Sequence, residues 1–147
     1  MKPLLEVRNL RTVIDTVHGT FPAVDDVSFV LESGAVLGIV GESGSGKSML
    51  ALSLLGLLPG KGRIESGEAL LDGQNLCSLP ERELRGVRGR RIGMIFQEPL
   101  TSFDPLYTIG DQIAESVRKH LGLKSKQARD KAVELLSTVG IPRPDLA

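Results

Sequence analysis

One cysteine, Cys77, one tyrosine, Tyr107, and no tryptophan stand in 147 residues. A lone thiol excludes a disulfide framework and a thiolate metal cage, and it suits a reducing compartment. Cys77 itself reads as a small, half-buried side chain. Net charge is missing too: 18 Lys and Arg against 18 Asp and Glu leave no long-range field to gather a polyanion, which argues against nucleic acid as a partner. The basic cluster Arg82, Arg85, Arg88, Arg90 and Arg91 is interleaved with Glu81 and Glu83 and reads as a solvated helix face. Nor is there a long apolar run. The segment Met1-Lys2-Pro3-Leu4-Leu5-Glu6 has no signal core, and the longest apolar stretch, residues 49–58, falls well short of the roughly 18 residues of a membrane span. These absences point to a chain made and kept in the cytosol.

What the sequence does have is concentrated in Gly41-Glu42-Ser43-Gly44-Ser45-Gly46-Lys47-Ser48, a complete G-x-x-x-x-G-K-[ST] phosphate-binding loop. Gly41, Gly44 and Gly46 permit backbone angles that let successive N–H groups turn inward around phosphate oxygens. Lys47 supplies a mobile positive charge and Ser48 a hydroxyl for Mg²⁺. Both open a helix whose N-terminal partial charge favours an anion. The flanks stand in the required order: Val36-Leu37-Gly38-Ile39-Val40 is a run of the buried parallel-strand kind, and Met49 to Leu58 is apolar at helical length, stopped by Pro59-Gly60. The alternative, a glycine-rich surface loop without a ligand, does not call for this order.

Around that loop, the alternation in Leu4 to Leu10 and Val24 to Leu31 predicts two strands, with Val27, Phe29 and Leu31 on one side and Ser28, Val30 and Glu32 on the other. Arg63 to Leu71 predicts a third, closed by the hairpin signal Asp72-Gly73. Pro80 to Arg88 predicts a helix, and Arg91 to Phe96 a buried strand ending at Gln97. Beyond Pro99, Thr108 and Asp111 cap a helix with Ile113, Val117 and Leu121 on one face. A second helix over Lys126 to Val139 turns Ala128, Ala132, Leu135, Leu136 and Val139 inward and is stopped by Gly140-Ile141-Pro142. The fold class expected is α/β: a P-loop NTPase with a mixed sheet, antiparallel beside parallel. Residues 1–99 are expected to form the nucleotide-binding core and residues 100–147 the start of a helical subdomain.

Three stretches give the chain a family resemblance: Ala23-Val24-Asp25-Asp26-Val27-Ser28-Phe29 leading into residues 38–48, Leu84-Arg85-Gly86-Val87-Arg88-Gly89, and Gly93-Met94-Ile95-Phe96-Gln97-Glu98-Pro99 continuing through Ser102, Pro105, Thr108, Gly110, Gln112 and Ile113. The chain resembles the ATP-binding subunit of an ABC transporter, of the importer subfamily associated with dipeptides, oligopeptides and nickel. That resemblance implies ATP and Mg²⁺ as ligands. It makes Gln97, placed after Lys47 at a strand end, the Q-loop glutamine, whose neutral amide offers an oxygen to Mg²⁺ and an NH₂ to the attacking water. It directs the segment Glu98 to Tyr107 toward a membrane permease subunit, pairs the chain with a second ABC ATPase subunit, links it indirectly to a substrate-binding protein, and places it on the inner face of the cell membrane. An aromatic ahead of the loop stacks on adenine in this family: Phe21 is the candidate, His18 stands at a comparable offset, and Phe21 as a strand-end core residue is the other reading. Where the subfamily has Ser-Leu-Asn-Pro, this chain has Ser102-Phe103-Asp104-Pro105, a departure that loosens any assignment of the solute.

The family's signature Leu-Ser-Gly-Gly-Gln loop, its acidic strand end and its switch histidine have no counterpart in these residues. His18 precedes the loop and His120 lies on a helix. The expectation is therefore the N-terminal part of a longer subunit, an incomplete ABC ATPase domain that by itself is inactive. Two functional readings remain open at this point: an ATPase subunit that couples ATP binding and hydrolysis to import of peptides or related solutes, and a nucleotide-binding module without hydrolysis. A small P-loop kinase would need an acceptor site and an arginine-bearing lid, and the Gln97 segment argues against it.

Overall fold

Alternation of apolar residues builds the first two elements as one long hairpin. Strands β1 (Leu5–Thr16) and β2 (Gly19–Leu31) pair antiparallel from Leu5↔Leu31 to Thr16↔Gly19, longer at the turn end than the sequence pattern suggested. Val27 and Phe29 pack against the core and Ser28 and Val30 face solvent, as the alternation requires. The ladder shifts register between Val7 and Leu10. There Asn9 and Asp26 both adopt positive φ and are joined side chain to side chain at 2.7 Å, a conformation that Asn and Asp tolerate better than other residues.

The structure is a computed structural model that describes residues 3–98 and 102–146. Its contacts divide the chain into two units, Met1–Ile92 and Gly93–Ala147. In the first, β3 (Gly62–Leu71) pairs with the other edge of β1, and β4 (Gln74–Asn75) turns back on β3, giving the order β2-β1-β3-β4, antiparallel throughout. Asp72 and Gly73 both take positive φ, the tight hairpin turn expected of that dipeptide. Helix α1 (Lys47–Leu54) lies against this sheet through Met49, Leu50 and Leu54, joined by Leu76 and Val87. A 3-10 turn, Leu76–Ser78, leads to helix α2 (Glu81–Val87).

Two strand expectations are corrected. Residues 36–40 form no regular element and have no strand partner among the described residues, and Val36 is 98 % and Val40 94 % exposed. Arg91 to Phe96 likewise forms no strand: a single bridge joins Arg88 to Ile92, and Ile95 and Phe96 are exposed. The reason is physical. A parallel strand takes all its hydrogen bonds from segments distant in sequence, and the described residues supply none. Helix α1 also ends earlier than the apolar stretch 49–58: Gly56 turns to positive φ, and Leu57 donates its N–H back to the Leu52 carbonyl at 2.9 Å, a helix-ending reversal.

The second unit holds helices α3 (Ile109–Leu121) and α4 (Ser125–Thr138). Thr108 caps α3 by accepting the Asp111 N–H at 3.1 Å, as expected. Ala114, Val117, Ala128 and Ala132 form the seam, with Ile113 and Leu123 beside it. Small residues let the two helices approach closely, and this displaces part of the expected inward face: Leu136 is buried, whereas Leu121, Leu135 and Val139 are exposed. No helix among the described residues is long and apolar enough to cross a membrane.

Candidate functional site

Residues 41–48 fold into a closed loop at the N-terminus of α1. Gly44 and Gly46 take the left-handed conformation that the pattern reserves for glycine, and Ser45 donates its N–H to the Glu42 carbonyl at 3.2 Å. Gly46 has a second constraint: a Cβ there would stand 2.3 Å from the Ala23 carbonyl oxygen, so the loop lies directly on β2. Lys47 begins α1 and bends back over the loop. Its Nζ donates to the carbonyls of Gly41 at 2.8 Å and Glu42 at 2.6 Å, and to Ser45 Oγ at 3.1 Å. All three ammonium protons are thereby engaged. Ser43 and Ser48 are exposed, Ser48 offering its hydroxyl from the first turn of the helix.

Three contacts fix α1 beneath this loop. Leu50 is buried in the sheet core and donates its N–H to the Gly46 carbonyl at 2.8 Å. Ser53, one turn on, donates to the Met49 carbonyl at 2.6 Å and lies 2.8 Å from Thr12 Oγ1, both hydroxyls fully enclosed. Because the Ser53 proton is committed to Met49, Thr12 is the donor in that pair. The third contact is Arg88, which reaches the far end of α1 and bonds the Leu55 carbonyl at 2.7 Å. Charge patterning places Arg88 and Arg91 on a solvated face. Here Arg88 is largely enclosed, and Arg91 binds Gln74, Asp72 and the Leu71 carbonyl. Nothing in charge patterning separates an arginine that seeks water from one that seeks carbonyls across the fold.

The other sequence candidates stand as follows. Phe21 pairs with Ile14 in the hairpin and is 62 % exposed, which removes the reading of it as a core residue. His18 is exposed in the turn between β1 and β2. Gln97 belongs to the second unit, exposed at a bend that follows the irregular stretch 93–96. Pro99 lies outside the described residues. Beyond it, Gln112 was noted in the sequence only as part of a motif. In the structure its amide accepts from the Asp104 N–H and donates to the Asp104 and Tyr107 carbonyls, all near 3 Å. It thus braces a loop whose Leu106 and Tyr107 are exposed.

As for metals, no group of three His, Cys, Asp or Glu side chains is placed to hold an ion among the described residues. An open cleft between α3 and α4 is lined by Asp111, Arg118, Lys126 and Arg129. Its charges are mixed, and Arg129 is committed to Asp111 at 2.6 Å, holding that carboxyl below its usual range together with the Thr108 hydroxyl. It has no convergent set of one sign.

Comparison with known proteins bears on the same loop. The profile of the family described as ABC transporter matches residues 24–145. The oligopeptide transport ATP-binding protein OppD of Salmonella typhimurium is 45 % identical over 139 residues, covering 95 % of this chain and 41 % of the relative. The dipeptide transport ATP-binding protein DppD of Bacillus subtilis is 43 % identical over 145 residues, covering 98 % of this chain and 43 % of the relative. The chain thus spans less than half the length of these relatives. The solved dimeric structure of MJ0796, a bacterial ABC transporter cassette, matches with a TM-score of 0.76 at 24 % identity, over 90 % of this chain and 56 % of that one, a likeness of fold.

Proposed function

The chain belongs to the ABC transporter family, and on that premise we propose that residues 41–48 hold the phosphates of Mg-ATP in the ATP-binding subunit of an importer of peptides or related solutes. The observation that carries this reading is the formed loop itself, with Lys47 Nζ held over the Gly41 and Glu42 carbonyls. A phosphate entering the loop meets backbone N–H groups and the start of α1, and it takes over ammonium protons now given to neutral carbonyls. The exchange favours the anion, because the ammonium then faces a full opposite charge in place of a carbonyl dipole. Ser48 presents its hydroxyl to the metal that accompanies the phosphates, and bound Mg²⁺ supplies charge neutralisation on the oxygens.

Further roles follow from the same proposal. Phe21, exposed on the hairpin, stacks on the adenine, with His18 as the alternative. Gln97 orients the attacking water and contacts the metal, making the subunit an ABC-type ATPase together with a second such subunit. The loop braced by Gln112, with Leu106 and Tyr107 outward, meets a membrane permease, which places the subunit on the inner face of the membrane and in indirect contact with a substrate-binding protein. A second reading takes the chain as a nucleotide-binding module without hydrolysis, and the loop's own groups favour it: the lysine, hydroxyls and backbone N–H groups it offers to a phosphate are donors, and Glu42 meets Lys47 through its backbone carbonyl and not its carboxylate.

The test is Mg-ATP binding by calorimetry beside phosphate release, with Lys47→Ala as control. Binding lost on removal of Lys47 supports the site, and unchanged affinity contradicts it. Release that disappears in the variant favours the ATPase reading, and binding without release favours the second.

A further inference from the structure

The stretch Leu84 to Gly89 carries part of the family resemblance and lies outside residues 41–48. Arg88 links it to α1. It follows α2 directly, its backbone fixed by the burial of Leu84 and Val87, and its guanidinium crosses to the C-terminal end of α1. There Nε donates to the Leu55 carbonyl at 2.7 Å and Nη2 to the Gly56 carbonyl at 3.1 Å. Glu81 backs the same fork, Oε1 taking Nη1 at 2.7 Å and Oε2 taking Nη2 at 3.0 Å. The Arg88 side chain is 20 % exposed, the least of the arginines in the ion pairs among the described residues. The chain reversal is shaped to admit it: a Cβ on Gly56 would lie 2.9 Å from Leu84 Cδ1 and 3.2 Å from Arg88 Nη2.

The chemistry suits the place. Carbonyls at a helix C-terminus lack intrahelical donors and carry partial negative charge. One guanidinium satisfies the cap carbonyl of Leu55 and the Gly56 carbonyl just past it, while Glu81 orients the fork through Nη1 and Nη2. Helix α1 has eight residues, about 12 Å at the usual rise, and its first residue is Lys47. A body this short and this well packed moves as a unit, so whatever fixes the Leu55 end also fixes the loop end.

We infer that Arg88, oriented by Glu81, is a positioning residue for the phosphate loop, holding α1 from its far end so that Lys47, Ser48 and the loop N–H groups converge on phosphate. The inference rests on the reading of residues 41–48 as a nucleotide site, and its test separates the two.

Mg-ATP dissociation constants and melting temperatures are measured for the unmodified chain, Arg88→Met, Arg88→Lys and Arg91→Met. The last removes a comparable arginine fork, one whose hydrogen bonds go to Gln74, Asp72 and the Leu71 carbonyl at the β3–β4 turn and not to the end of α1. Arg88→Met weakens binding on the order of tenfold, the equivalent of one charge-assisted bond. Arg88→Lys falls between that and the unmodified chain, and Arg91→Met lowers the melting temperature but keeps the affinity within about twofold. Amide exchange of Leu50 to Ser53 quickens in Arg88→Met and not in Arg91→Met. Unchanged affinity and exchange in Arg88→Met, or equal losses in Arg91→Met, overturn the inference. Should Arg88→Met fail to fold, Glu81→Gln, which keeps both carbonyl bonds but frees the fork, decides by a smaller loss in the same direction or by none. Should the unmodified chain not bind Mg-ATP, the functional reading fails, and the exchange comparison alone decides the role of Arg88.

Discussion

The two flanks of the glycine-rich loop at residues 41–48 are held very differently. After it, α1 is fastened three times: Leu50 in the core, Ser53 to Thr12, and Leu55 to Arg88. Before it, residues 36–40 are as apolar as α1 and yet form no regular element and have no strand partner among the described residues, Val36 and Val40 almost fully exposed. Apolar character therefore does not decide burial here. The flank that packs on a sheet whose strands pair within one stretch of chain is fixed, and the flank that needs a parallel neighbour is not. The loop takes its shape from the helix side.

The strongest way to break that contrast is Leu50→Ala. Truncating a buried leucine costs about 2–5 kcal/mol, and because Leu50 also sits one turn below Lys47, Mg-ATP affinity falls with stability in a denaturant titration followed by calorimetry. Next is Thr12→Val, which removes the donor to Ser53 inside the core. A cost of about 1–3 kcal/mol is expected for the stranded partner, read from the urea midpoint. If the variant matched the unmodified chain, the hydroxyl pair would not be a fastening.

A smaller effect sharpens the account at the Arg88 end. Arg88 first and Arg85 second hold the Glu81 carboxyl down from an ordinary 4.5 to about 2. A depressed carboxylate contributes stability that is fully present above its unfolded pKa and lost as pH falls through the folded value. The contribution therefore fades between about pH 4.5 and 2, and Glu81→Gln flattens that part of the acid unfolding curve. Glu81 is exposed, so the change is modest and weakens with added salt. Smallest of all is Val40→Thr on the unfastened side. It shifts stability by no more than about 0.5 kcal/mol, whereas a core-sized loss would mean that residues 36–40 are packed in solution.

The same contrast explains what could be read from the sequence. The glycine-permitted turns of residues 41–48, the two strands near Leu4–Leu10 and Val24–Leu31, the Asp72-Gly73 turn and the Thr108 cap were legible, because each is specified by residues close together in the chain; the pairing of the two strands and their turn at residues 16–19 were not. Residues 36–40 and 91–96 were legible as strand formers and not as unpaired segments, since a local pattern records preference and not the presence of a partner. Leu121, Leu135 and Val139 were misplaced because helical periodicity marks an apolar stripe wider than the narrow Ala114–Ala128–Ala132 seam that packs. Arg88 was hidden among neighbouring arginines on α2: its acceptors, the Leu55 and Gly56 carbonyls, are backbone atoms some thirty residues away, and backbone acceptors leave no mark in sequence.

The measurement that bears most directly on the account is native-state amide hydrogen exchange across residues 36–54 of the unmodified chain. Protection rising sharply from Leu50 onward, with Val36 to Val40 exchanging at close to unprotected rates, is the predicted result. Equal protection on both sides of the loop, or none along α1, would contradict it.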